Sequence, residues 1–290
     1  QIHVSGGLMN NFIITTDTTS DLPAAYVEQH QIGMLSLTYT INDTTYSWEH
    51  PLPVKEFYDC MRQGSLPTTS QANPEEAAAV FEKIINEQNA DILHIAFSSG
   101  LSGSYNSAEL GKKLYLEKYG HKNIFICDSE SASCGETNQA LLAAKLCEEG
   151  LPFEEVCRRV AEYRDHMHTY FVLDNLETLR KNGRLTGVKA LVASTLSIKP
   201  VMGAEKGAII QLGQAIGIKK GLAKMAAAVA ADAVHPEEKT LMITHCNCLE
   251  RAEAVKNMVL QKISCRDVVI MDTRGVSSMY ANDGGVIVTL

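Results

Sequence analysis

The chain has 290 residues, 45% of them apolar, with 34 acidic against 26 basic side chains and a net charge of −8. That length and apolar fraction suffice for one large core or two ordinary ones. The acidic balance, with no Lys/Arg-rich run, excludes the basic face of a nucleic-acid-binding protein, and no apolar run approaches the roughly 20 residues of a membrane-spanning helix.

Residues 1–8 carry neither a basic n-region nor an apolar h-region, so no signal peptide is expected there, and Met9 is the expected natural start. Residues 12–16 are short and β-rich. Asp17 to Pro23 follows as a turn with capping residues, and a helical pattern runs on to Val27. Residues 34–41 alternate and predict one strand; 54–61 predict a helix. Asn73-Pro74-Glu75-Glu76 marks a helix start, with Asn as N-cap, Pro at the first position and acids in the first turn. That helix is expected to reach about Glu87. Strand 92–97, helix 104–119, strand 123–127 and helix 138–148 come next, with one more helix inside 152–168. Such alternation predicts a parallel sheet covered on both faces.

The second half is patterned differently. A short strand is expected at 170–173 and a helix at 176–181, ending at Asn182-Gly183. Residues 197–202, 203–207 and 208–212 predict strand, turn and strand, an antiparallel hairpin. Helix 219–233, strand 240–244, helix 249–263 and strands 268–271 and 286–290 complete the chain. The expected fold class is α/β with two domains. An N-terminal domain over 1–168 has a mostly parallel sheet with helices on both faces, and a C-terminal α+β domain covers 169–290.

The eight cysteines are scattered and form no C-x-x-C pair, so ordinary buried or strand thiols are expected rather than a metal or redox motif. Reduced thiols together with no export signal predict a cytoplasmic protein.

Three hydroxyl-rich turns lie at the ends of predicted elements: Asp17-Thr18-Thr19-Ser20-Asp21, Pro67-Thr68-Thr69-Ser70-Gln71, and Ser98-Ser99-Gly100-Leu101-Ser102-Gly103. In an open α/β sheet, ligands bind beyond the carboxyl ends of the strands. Glycines there let backbone come close to a ligand, and free N–H groups at a helix start favour an anion. The segment at 98–103 is neither a P-loop, a dinucleotide fingerprint nor a nucleophile elbow. On its own it reads equally as an anion cradle or as a cap and turn. Three such clusters suggest neutral donors gathered around a negatively charged head group.

D-T-T-S-D-L at 17–22, T-T-S-Q at 68–71, S-S-G-L-S-G-S-Y at 98–105, L-x-x-L-R-K-N-G-R-L at 176–185 and I-K-P-V at 198–201 together resemble the DegV family, in order and from Asn11 to Leu290. The resemblance implies two α/β domains with a long-chain fatty acid between them and no further cofactor. It also implies a non-enzymatic role as the acyl-binding subunit that presents the carboxylate to the ATP-binding subunit of a fatty acid kinase, for phospholipid synthesis. Carried onto this sequence, it assigns the head group to Thr69 and Ser70 and to Ser98, Ser99 and Gly100, with Ser99 favoured, and it places Arg184 toward the kinase. The family's C-terminal H-T-G-P-G motif is missing. Ala281 stands at the histidine position, leaving Tyr280 or Asn282 to supply a polar contact.

Two other readings rest on the same residues. One is a serine-dependent hydrolase or acyltransferase with Ser98 or Ser99 as nucleophile and His94 or His245 as base. The other is a sugar- or phosphate-binding enzyme using the 98–103 loop as its anion site. His94, within an apolar strand, is expected to be a core histidine.

Overall fold

The computed structural model describes residues 12–65, 67–188 and 196–290. Residues 1–8 and the expected start at Met9 lie outside the described residues. In the first half the elements run β1 (Phe12–Asp17), α1 (Ala24–His30), β2 (Gly33–Leu35), β3 (Thr38–Ile41), β4 (Thr44–Tyr46), α2 (Val54–Arg62), β5 (Thr68–Ser70), α3 (Pro74–Gln88), β6 (Asp91–Ala96), α4 (Ser104–Tyr119), β7 (Ile124–Asp128), α5 (Cys134–Glu148) and α6 (Phe153–His166). From there they run β8 (Thr169–Val172), α7 (Glu177–Lys181), β9 (Ile198–Glu205), β10 (Ala208–Ile216), α8 (Ile218–Asp232), β11 (Thr240–His245), α9 (Leu249–Leu260), β12 (Asp267–Asp272), α10 (Gly275–Ala281) and β13 (Val286–Thr289).

The strands form three sheets. The first, ordered β2-β1-β6-β7, is parallel throughout. The second, ordered β10-β9-β8-β13-β11-β12, is antiparallel except where β11 meets β12. The third is a small antiparallel sheet, β4-β3-β5. The fold is therefore mixed α/β, a parallel sheet flanked by helices and a further sheet with its own helices, as the alternation predicts. The N-terminus of α3 is a full capping box: Asn73 accepts from the Glu76 amide and Glu76 accepts from the Asn73 amide.

Local departures from the sequence-based expectation have physical causes. Residues 34–41 are two strands, because Thr18 Oγ1 donates to Leu37 O at 3.3 Å and accepts from Leu37 N at 2.9 Å. Those bonds remove Leu37 from strand pairing and turn the chain from the first sheet into the third. The hairpin strands β9 and β10 run through Gly203 and close only at Lys206-Gly207. Both turn residues have positive φ, 48° and 80°, the twist that a two-residue hairpin requires. The helix α10 begins without a side-chain cap and has no counterpart in the sequence-based reading.

Helix α5 lies against both large sheets, touching β1 and β6 of the first and β11 and β13 of the second. Its first two turns are buried all round, as expected of a helix inside a core rather than on its surface.

Candidate functional site

Strand β1 is flanked by β2 on one side and β6 on the other, so the strand order reverses there. The crevice beyond the carboxyl ends at such a reversal is the favoured ligand position of an open α/β sheet. A cavity of about 350 Å³ occupies that position, with Thr19 after β1 and Phe97 after β6 on its wall. Its volume falls within the range of small-molecule sites, roughly 300–1,000 Å³.

Both large sheets contribute to the walls. Leu37, Phe97 and Leu101 face it from the first half, and Phe171, Leu173 and Ile209 from the second. Along one side runs α10, with Val276, Tyr280 and Ala281. Polar groups gather at the exposed rim: Thr69, Ser70, Gln71, Ser102 and Arg184. Arg184 is held by a 3.1 Å bond from its Nε to Leu101 O, and its guanidinium carbon lies 5.8 Å from the centre of the Tyr280 ring. Each of the three hydroxyl clusters thus sends at least one residue to the cavity.

The residues singled out from the sequence divide. Thr69, Ser70, Tyr280 and Arg184 line the cavity. Ser98, Ser99 and Gly100 do not. Ser98 is fully buried, and its hydroxyl donates to Gly207 O at 2.8 Å, joining the end of β6 to the β9–β10 turn. Ser99 is exposed, and its hydroxyl bonds to Asp128. Gly100 is a glycine because a Cβ there would sit 2.6 Å from Gly207 O, so its close backbone approach is to the hairpin. Asn282 caps α10 with φ 58° and turns its amide to Asn175 O at 3.2 Å. Ala281 is on the cavity wall and 3% exposed.

The histidines proposed as bases are engaged elsewhere. His94 Nδ1 pairs with Thr15 Oγ1 at 2.8 Å, its ring meets Phe81 edge-on, and burial lowers its pKa to about 4. His245 accepts from the Cys248 amide and faces Asp272. Among the described residues no serine–histidine pair forms at 98–99, and none of the clusters of three or more His, Cys, Asp or Glu that a metal ion would need is present. In the I-K-P-V segment, buried Lys199 donates to Asp174 O at 3.1 Å, and Arg251 bridges the Asp174 carboxylate to Gly284 O. That motif holds the turn after α10 in place and does not touch the cavity.

A fourth hydroxyl cluster, Ser129 to Ser133, follows β7 and was not recognised in the sequence. Buried Ser131 and Ser133 line the cavity together with Thr169 and Ser277, and the Ser131 and Thr169 hydroxyls are hydrogen-bonded at 2.8 Å. The signal was available, since Ser-Glu-Ser-Ala-Ser stands at a strand's carboxyl end like the segment at 98–103. Three carboxyl groups lie near these hydroxyls: Asp17, Asp21 and Glu136, all buried. Asp17 accepts from the Phe97 amide at 2.8 Å and the Thr19 amide at 3.1 Å. The Thr19 hydroxyl reaches both Asp17 and Glu136, yet it has one proton to give. Burial, and then the charge of Asp17, hold the Glu136 pKa well above the usual carboxyl range. Its Oε1 has no hydrogen-bond partner, which a neutral carboxyl tolerates better than an anion. Asp21 is also raised by burial, to about 7, although Ser133 Oγ and the Arg274 amide donate to it at 2.6 and 2.8 Å.

Residues 11–289 match the profile of the family described as "Uncharacterised protein, DegV family". The chain belongs to the DegV family. A DegV domain-containing protein of Clostridium perfringens is 34% identical over 265 residues, covering 90% of this chain and 91% of that one. The structure of a DegV family protein from Ruminococcus gnavus, refined with vaccenic acid, is similar at TM-score 0.90 and 40% identity, over 97% of this chain and all of the other. A DegV family protein from Thermus thermophilus, described for its fatty acid binding, follows at TM-score 0.87 and 26% identity, over 96% and 98% of the two chains. These DegV structures share the mixed α/β architecture seen here. Among the described residues no helix is long and apolar enough to cross a membrane.

Proposed function

We propose that this DegV chain binds a long-chain fatty acid in the cavity, with the domain boundary near residue 168 and the lipid between the two domains. The observation that carries the reading is a cavity with apolar walls drawn from both halves and hydroxyl and amide groups at its rim beside Arg184. Each buried methylene contributes about 0.8 kcal/mol. A dozen therefore supply around 10 kcal/mol before association costs, so few polar contacts are needed. Thr69 and Ser70, with Gln71 and Ser102 beside them, are the donors for the carboxylate. Hydroxyls hold a carboxylate without locking it into an ion pair, which suits presentation to a second protein.

The finer reading is that the cytoplasmic partner is the ATP-binding subunit of a fatty acid kinase, with Arg184 and Tyr280 at the rim on its side. The relatives described as binding fatty acids support the lipid; the hydroxyl-rich rim supports the presentation. Organic extraction of purified protein followed by gas chromatography tests the first part: a stoichiometric acyl chain is expected. A protein that is empty and takes up neither oleate nor palmitate refutes it. For the second, ATP-dependent acyl phosphate, trapped as hydroxamate, is expected only when a fatty acid kinase subunit and this protein are both present.

A further inference from the structure

Beside the main cavity lies a second one of about 180 Å³. Two side chains, Leu37 and Val276, line both. They are 5% and 7% exposed and belong to one apolar cluster with Tyr39 and Leu173. The two spaces therefore share these side chains as a common wall. The outer wall is the loop from Ser47 to Pro53, which is fastened by the Leu52 amide donating to Tyr39 Oη at 3.0 Å. The start of α10 presses on the same tyrosine: a Cβ on Gly275 would fall 2.3 Å from the Tyr39 ring. At the far side the Arg274 guanidinium lies 4.8 Å from the centre of the Trp48 ring.

We infer that this second cavity is a bay of the acyl chamber, entered past Leu37 and Val276, and that it receives the methyl end of the bound chain against Trp48. The inference rests on the fatty-acid reading above. Its walls suit a hydrocarbon end. The aromatic and proline surfaces of Tyr39, Trp48, Pro51 and Pro53 face it together with Leu37, Leu52 and Val276. Tyr39 Oη accepts from the Leu52 amide, Thr18 Oγ1 pairs with the Leu37 backbone, Ser47 Oγ accepts from the His50 amide, and the Arg274 guanidinium lies over the Trp48 ring. A carboxylate finds neutral donors with open access at the rim instead, at Thr69 and Ser70. Leu37 and Val276 are then specificity-determining residues, because the gap between them decides which chain ends pass.

Trp48 is the chain's one tryptophan, so its emission reports on this bay alone. Bromine quenches indole emission at near contact. The experiment titrates full-length protein with 18-bromo-octadecanoic acid and, separately, with 2-bromo-octadecanoic acid, and follows binding of each by native mass spectrometry. Both acids are expected to bind one to one. The chain-end bromide is expected to abolish most of the Trp48 emission, and the head-end bromide to leave it unchanged. If both bind and the chain-end bromide leaves the emission intact, or the head-end bromide is the one that quenches, the bay does not hold the tail and the inference fails. If neither acid binds, the fatty-acid reading itself is refuted, and the bay with it. Leu37→Ala gives a second readout: widening the passage is expected to strengthen quenching by a terminally brominated 20-carbon acid relative to wild type, and an unchanged or weaker response counts against the inference.

Discussion

Replacing Asp21 by asparagine should stabilise the protein at alkaline pH and do so progressively less as pH falls. Asp21 sits at φ 56°, a conformation that asparagine adopts as readily as aspartate. An amide keeps the shape and keeps an oxygen for the Arg274 amide, while the Ser133 hydroxyl can turn to accept. What changes is the charge. In the folded chain Asp21 holds its proton up to about pH 7, against an ordinary value of 3.8. The native state therefore binds the proton more tightly than the unfolded chain does, and the term costs stability as pH rises from 3.8 through 7, levelling off above. At 1.36 kcal/mol per pH unit, the full cost above pH 7 is about 4 kcal/mol, and at pH 5 about 1–2 kcal/mol. Asparagine lacks this term, so its advantage over wild type should widen by about 2–3 kcal/mol between pH 5 and 8. Urea unfolding of both proteins at pH 5, 6, 7 and 8 measures it. A gap that is flat with pH, or that closes as pH rises, would show that Asp21 is ionised in the fold at pH 5 and refute the reasoning.

Thr69→Ala should weaken fatty-acid binding by about 1.5–3 kcal/mol, roughly 10- to 100-fold in Kd, as loss of a hydrogen bond to a charged group does. Isothermal titration with a soluble medium-chain acid measures it, and an unchanged Kd would remove Thr69 from the head-group site. Gly100→Ala should lower stability by about 1–3 kcal/mol, since the new methyl meets backbone at Gly207 rather than a movable side chain. A urea midpoint equal to wild type would mean that the hairpin tip gives way freely.

The parts of the fold legible in the sequence are those whose local signals agree with their tertiary setting. The Asn73 capping box and the apolar run from Ile92 to Ala96 are examples, each carrying its own start or stop. Helix α10 was illegible because Gly-Val-Ser-Ser-Met-Tyr-Ala has weak helix propensity and no cap. It is helical because Val276, Met279 and Ala281 pack into the core. Strand β5 reads as a turn in the sequence because three polar residues at a sheet edge leave no alternation. At the site, Thr69 and Arg184 were recognisable from motif and chemistry. The engagement of Ser98 with Gly207 was not, because its partner lies 109 residues away on a hairpin whose turn was placed too early.

Helix α5 sets how this protein can open. Its first turns belong to the cores of both large sheets at once, so it serves as a shared axle rather than as a panel on either side. Swinging the halves apart would strip apolar surface from one of them along that whole segment. The short edge strand β5, with Thr68 and Ser70 exposed, can shift at far lower cost. A guest of the cavity is therefore expected to exchange past the rim rather than by separation of the halves.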